Sequence, residues 1–538
     1  MNKRKYVGLK LIVLLITGFI AVGCTQSPDV MRREPREIVD DYVERRIEFH
    51  YAQFGATGDG VTDDFDAIVR THRAANRIGR NAIVIAGKGT SGEGVFYIGP
   101  TRRTAIIQTD TDWTGARFIL DDERIVRYGP PWEDSWLFRV ESAQRPFRVY
   151  SITNLTRDQP RIFANLGREM LYLVTDNTTR RYIRQGHNED PGTISRDIFL
   201  VDRYGFVDPN TPILWDFNNI STLTAFPIDD WTLTITGGHF TTIVSRGNVT
   251  EPYKNRGIEI SRSNTVIDGI YHDVVGEDWP TTTYRGFLHI TTAANVTVKN
   301  FAISGRFFNG TRGTYDIAVS DAVNISFING TQLNDIHSNR YWGAFISDFT
   351  KNITFDNVTI SRFDAHMGVF NATILNSTLG YQGIRLVGRG TLRVENTTVT
   401  GMDSFIMLRA DYGATWEGNV FIRNSRLYPV NVNNSRVMEI YNNGTWNFGY
   451  QCFMPEFIFI DNFQIMERPG IPWGGNVTFI MSQMGDGPET PPPFPVIPTN
   501  TVFFRNLSGG TPRISNSSYY ANIINASDEW PFDVWPWD

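Results

Sequence analysis

The sequence predicts an all-β solenoid, a chain wound into stacked coils that each contribute short parallel strands, and three observations predict it. First, from about Trp231 onward short strands with an apolar residue at every second position recur at steps of roughly 20 to 30 residues, the period of a solenoid coil. Second, of the strands Trp231–Thr236, Asn295–Ile303, Asn324–Asn329, Asn352–Ile360, Asn371–Asn376 and Thr391–Val399, all but the first carry an Asn near a bend. Stacked coils then set Asn over Asn, and the side-chain amides hydrogen-bond along the stack. That chemistry also accounts for the many Asn-X-Ser/Thr triplets. Third, a glycine-rich turn near the N-terminus leads into an amphipathic helix and two short strands.

In chain order, Lys3, Arg4, Lys5 and Lys10 precede the apolar run Leu11–Ala21, and Val22 and Gly23 follow before Cys24. This is the layout of a secretory signal (residues 1–23), too short for a permanent span. Ala21-Val22-Gly23-Cys24 resembles the lipobox of bacterial lipoproteins, which implies cleavage before Cys24, lipidation of its sulfur and a membrane anchor. Residues 24–47 read as a polar tether followed by a short charged helix starting near Glu37. Cys452 is the one other cysteine, so the lipidated chain forms no internal disulfide and depends on packing.

Residues 54–64 read Phe-Gly-Ala-Thr-Gly-Asp-Gly-Val-Thr-Asp-Asp, with Thr62 or Asp63 as the expected cap of a helix carrying Ala67, Ile68, Ala74 and Ala75. Strands at Asn81–Ile85 and Gly94–Ile98 follow. The segment from about 48 to 100 resembles the N-terminal motif of the pectate-lyase-type (pectin-lyase-like) superfamily. The resemblance implies a right-handed parallel β-helix with an N-terminal capping helix. It does not name a reaction, because lyases, hydrolases, epimerases and phage tailspikes share the motif. On this reading the β-helix spans 48–485, with insertions in 105–230. The proline- and aromatic-rich 486–538 forms a C-terminal cap or a homo-oligomer contact.

Across 538 residues the net charge is −6, which argues against nucleic acid as a partner. Of the 51 basic residues all but seven are Arg. A guanidinium fork matches carboxylate oxygens two at a time, so the surface suits an acidic, uronate-containing polysaccharide.

Setting the repeat in register places a row of polar residues on successive coils: Tyr271, His272, Asp273, Glu277 and Asp278, then Arg306 and Arg312, then Asp335, His337 and Arg340. Arg362, Asp364 and His366 follow, then Tyr381 and Arg385, then Asp403, Arg409, Asp411 and Tyr412. Neighbouring coils lie about 4.8 Å apart, so these side chains can act on one substrate. Asp364 and His366, two apart on an extended segment, face the same way, and a carboxylate beside an imidazole suits a general base or acid. The same pair would equally serve to hydrogen-bond a turn.

The expected catalytic set is Asp364, His366, Arg362, His337 and Arg409, with Arg340, Tyr381, Arg385, Asp411, Tyr412 and Trp416 gripping the sugar. An elimination needs a base (His366, His337 or a deprotonated Tyr) and a cation for the enolate-like charge (Arg362, Arg385 or Arg409). A hydrolysis needs two carboxylates, for which Asp364 with Asp335, Asp403 or Asp411 would serve. The Arg richness favours a polysaccharide lyase. A glycoside hydrolase and a non-catalytic glycan-binding adhesin, which would use aromatic platforms without an acid–base pair, remain as alternatives, and Arg409, Tyr412 and Trp416 would equally serve to buttress a turn between coils, with Trp416 buried. No cofactor is expected, although Asp-rich loops leave room for Ca²⁺. The expected location is the cell envelope.

Overall fold

The computed structural model describes residues 46–538 apart from 101–102, 124–135, 163–166, 184–189, 245–252, 278–282, 308–313, 410–411, 413–415, 431–434, 441–450, 467–477, 483–495, 498, 510–512, 515–521, 526–529 and 532–534. Cys24, Asp278, Arg312 and Asp411 therefore lie outside the described residues, as does most of the helix expected from Glu37. Its last expected residues instead belong to a strand, Ile47–His50.

The chain forms a right-handed parallel β-helix with three ladders of strands. Val140, Ile260, Ile290, Val319 and Ser347 are in register in the first ladder. Ile235, Ile267, Val298, Phe327 and Phe355 are in register in the second. The third runs through Phe96, Phe118, Phe240 and His272. Inward side chains of all three fill one continuous core, with rings stacked coil on coil, as for Phe118 and Phe240 at 4.5 Å.

Two sharp bends per coil separate the ladders, and Asn occupies them in the left-handed region. At the first bend Asn295 Nδ2 donates to Asn264 Oδ1 at 2.9 Å, Asn324 to Asn295 at 3.0 Å, Asn352 to Asn324 at 2.8 Å and Asn371 to Asn352 at 3.0 Å. A second stack runs through Asn300, Asn329 and Asn357. Each amide satisfies its neighbour in a bend where backbone pairing lapses.

The helix Phe65–Asn76 buries Phe65, Ile68, Thr71, His72 and Ala75 against the first coil. Its cap is Asp64, one residue beyond Asp63 and two beyond Thr62, the expected positions. The Asp64 carboxylate turns back instead, accepting from the Thr57 and Gly58 amides at 2.6 and 2.9 Å and holding the glycine loop.

Strands of the coils already occur at Ala105–Ile107, Asp110–Asp121 and Phe138–Val140, which the sequence assigned to the inserted region. A four-stranded antiparallel sheet of Phe147–Arg148, Met170–Arg181, Thr193–Val201 and Thr222–Pro227 then leaves the first ladder and returns to the second. It has its own core around Leu155, Tyr172, Phe199 and Phe217. Its Leu171, Ile198 and Leu200 pack on Ala294 and Val323 of the coils. Parallel pairing also continues beyond residue 485: Thr501–Ser508 pairs with Phe457–Ile465, and Asn522–Asn525 with Thr501–Ser508. The C-terminal segment thus adds strands rather than only covering an end. Among the described residues no helix is long and apolar enough to cross a membrane.

Polar ties fix the inserted sheet to the coils. Lys351 Nζ lies 2.8 Å from Asp197, Arg389 donates to the Leu214 carbonyl at 3.0 Å, and Arg196 lies 2.8 Å from Asp321. Burial, opposed by Arg196 and reinforced by Asp348, pushes the Asp321 carboxyl up to about 6. A folded-state pKa above the unfolded one means that the contribution is complete below about pH 4 and is lost as the pH rises through about 6. The melting temperature of the native protein should therefore fall relative to that of Asp321→Asn between about pH 4 and about pH 7. Parallel melting curves across this range would contradict it.

Candidate functional site

The outward face of the first ladder forms the floor of a groove. Turns from the third to the first ladder, carrying Tyr315 and Trp342, flank one side, and the inserted sheet flanks the other. Within Phe345–Leu375, two successive coils follow each other with no intervening loop, and Phe345 stacks on Phe363 at 5.6 Å. Phe363 and Ala365 point into the core, so Arg362, Asp364 and His366 point outward.

The carboxylate that partners His366 is Asp348, one coil back, not Asp364. His366 Nδ1 lies 2.9 Å from Asp348 Oδ1 and His366 Nε2 lies 3.1 Å from the Tyr412 hydroxyl. An ionised carboxylate only accepts, so Nδ1 carries the hydrogen and Nε2 accepts from Tyr412. The Tyr412 ring packs edge-on against Tyr182 of the inserted sheet at 6.0 Å. Gly368, at φ +61°, makes that approach possible: a Cβ there would stand 3.0 Å from the Tyr182 hydroxyl and 2.8 Å from the Phe349 ring.

Asp364 is fully buried and binds two guanidiniums, Arg362 and, at 2.8 Å, Arg409. Burial raises its pKa, but Arg362, Arg409 and His366 outweigh burial and hold it below the usual carboxylate range. It is a counter-ion to the guanidiniums, and not the hydrogen-bonding partner of His366 that the sequence suggested. Arg385 sits beside Asp364 in the ladder register. Burial, then Arg362 and Arg409, push Arg385 down to about 10, and its Nε is buried with no hydrogen-bond partner among the described residues. Three guanidiniums thus surround one carboxylate. The Arg362 guanidinium also lies over the Trp342 ring, 4.6 Å from its centre.

Other expected residues lie elsewhere. His337 pairs with Asp335 at 3.1 Å on an exposed turn that also carries Arg340, before the strand that starts at Phe345 and carries Asp348. Tyr381 donates its backbone amide to Ile336 on that turn. His272 is a buried third-ladder residue, 2.8 Å from Asp316 and stacked on Phe287, and Arg306 is buried against Glu277. Trp416 is fully buried in the main core, so it is no sugar platform. Among the described residues no cluster of three or more His, Cys, Asp or Glu is arranged to hold a metal.

Sequence reasoning missed Asp348, Tyr182, Tyr315 and Trp342. Asp348 had one available signal: it stands three residues after Phe345, as His366 stands three after Phe363 in the next coil.

No protein-family model matches the chain, and no curated protein does. Solved structures do. The tailspike protein gp49 from Pseudomonas phage LKA1 aligns with a TM-score of 0.50 and 12% identity over 88% of this chain and 84% of that one. The likeness is one of fold. The gp54 tailspike of Acinetobacter baumannii bacteriophage AP22, solved with a capsular saccharide, aligns at 0.48 and 9% identity over 90% of this chain and 79% of that one.

Proposed function

We propose that the protein is an exported, cell-surface polysaccharide lyase of the pectate-lyase-like superfamily, anchored through Cys24, that cleaves a uronate-containing polysaccharide in this groove. The observation that carries the reading is the cation excess around Asp364 next to the His366–Tyr412 pair. Arg385, with Arg409 and Arg362 behind it, binds the uronate carboxylate and stabilises the charge that develops on it. His366 takes the proton α to that carboxylate through the Tyr412 hydroxyl, and Asp348 holds the imidazolium that forms. The electron pair released from the C–H bond forms the new double bond as the glycosidic C–O bond breaks, and the leaving oxygen takes up a proton. Hydrolysis has weaker support, because Asp364 is neutralised by two guanidiniums and Asp335 stands on an exposed turn.

The test is incubation of the purified protein with alginate, polygalacturonate and hyaluronan. Elimination predicts the ultraviolet absorbance of an unsaturated uronate in wild type and its loss in Arg385→Gln. New reducing ends without that absorbance would overturn the elimination and mean hydrolysis. Binding without either product would mean an adhesin.

A further inference from the structure

A further cation stands next to the candidate site and has no part in the proton transfer. Arg181 ends the strand Met170–Arg181 of the inserted sheet, and the next residue, Tyr182, packs edge-on against Tyr412. The Arg181 guanidinium carbon lies 3.5 Å from the centre of the Trp215 ring, and Arg181 Nε donates to Ser195 Oγ at 2.9 Å. Ring and hydroxyl thus hold the guanidinium in place. Its two Nη nitrogens, by contrast, make no hydrogen bond among the described residues, and neither is sealed from solvent. The Arg389 guanidinium approaches the same ring to 3.8 Å, so two cations crowd one tryptophan.

The carboxylates of this neighbourhood are committed to other groups. Asp197 lies 2.8 Å from Lys351, and Asp176 accepts from the Thr178 and Thr179 hydroxyls at 2.6 and 2.8 Å. Glu417 bridges Arg389 at 2.7 Å and Arg157 at 2.8 Å, Asp158 lies 3.4 Å from Arg157, and Asp216 accepts from the Arg157 backbone amide. Among the described residues no carboxylate comes within ion-pair distance of Arg181. Burial, opposed by Tyr182 and reinforced by Arg389, pushes the Arg181 guanidinium down to about 10. An anion at the Nη edge would relieve both the burial and the repulsion, and the planar fork matches the two oxygens of a carboxylate.

We propose that the Arg181 fork is a second carboxylate-binding site, for a uronate of the polysaccharide other than the one held at Arg385. The proposal rests on the uronate reading of the ligand above but not on elimination, because it concerns binding. The test is titration calorimetry of the full chain with polygalacturonate and with alginate, in the His366→Ala background so that no bond is cleaved, and with the fully esterified polymers as uncharged controls. Arg181→Gln should weaken binding of a charged polymer about tenfold, the scale of one lost charge-assisted contact. Arg181→Met, which keeps an apolar stem against Trp215, should do the same, and both variants should melt within a few degrees of the parent protein. The loss should add to that of Arg385→Gln, because the two forks bind separate carboxylates. The esterified polymers should show no difference between parent and variants. Unchanged affinity in both Arg181 variants, an equal loss with the esterified polymers, or no binding of either charged polymer by the parent protein overturns the site. Failure of the uronate reading at Arg385 is a separate result, full affinity in Arg385→Gln, and failure of elimination is another, the absence of unsaturated product from wild type.

Discussion

His366→Ala is expected to lower the rate of unsaturated-product formation at least about 100-fold, the usual scale for losing a positioned acid–base group. The imidazole is joined on one side to a carboxylate, Asp348, and on the other to a hydroxyl, Tyr412. It is partly exposed and touches the main core little, so the melting temperature should change by only a few degrees. Initial rates from ultraviolet absorbance, with thermal melts of the same preparations, check both parts. A full rate in the folded variant would remove His366 from the chemistry.

Asp364→Ala is expected to have the opposite profile, a large loss of stability. Arg362 and Arg409 would keep their charges at a largely buried site with the shared counter-ion gone, and Arg385 adds a third cation beside them. Removing one partner of a buried pair costs about 3–5 kcal/mol. The Asp364 pKa lies below its ordinary value, so the wild-type contribution is present above the ordinary carboxylate pKa and is lost as the pH falls through the lowered one. Denaturant unfolding at neutral pH should show the variant clearly less stable. The gap should close in strong acid, where the wild-type carboxylate is protonated as well. Equal stability at neutral pH would mean that the guanidiniums find other partners.

The parts of the structure legible in the sequence follow from its period. The alternating strands gave the ladders because inward and outward positions repeat every two residues, and the bend Asn residues gave the amide stacks because the coils bring like positions together. Arg362, Arg385, Arg409 and His366 were legible as outward polar residues of such strands. Trp416 stayed open between sugar platform and buried support because a tryptophan at the start of a strand looks the same whether its ring faces solvent or core, and the structure buries it. The strands Ala105–Ile107, Asp110–Asp121 and Phe138–Val140 pair with their neighbouring coils, although they are spaced too unevenly in the sequence for a period to show.

What the sequence by itself determined is the solenoid: hydrophobic period, glycine turn and asparagine bends are local signals, and each one agrees with the coil. What only the tertiary structure decided is which residues meet. His366 finds Asp348 18 residues back because one coil closes without a loop, and Tyr412 46 residues on because the coils stack. Asp364, expected beside His366, is instead the counter-ion of two guanidiniums that the fold brings onto it. A side chain's chemistry is written in its type, but its charge state and partners are set by neighbours that stacking, not sequence distance, brings within a few ångströms.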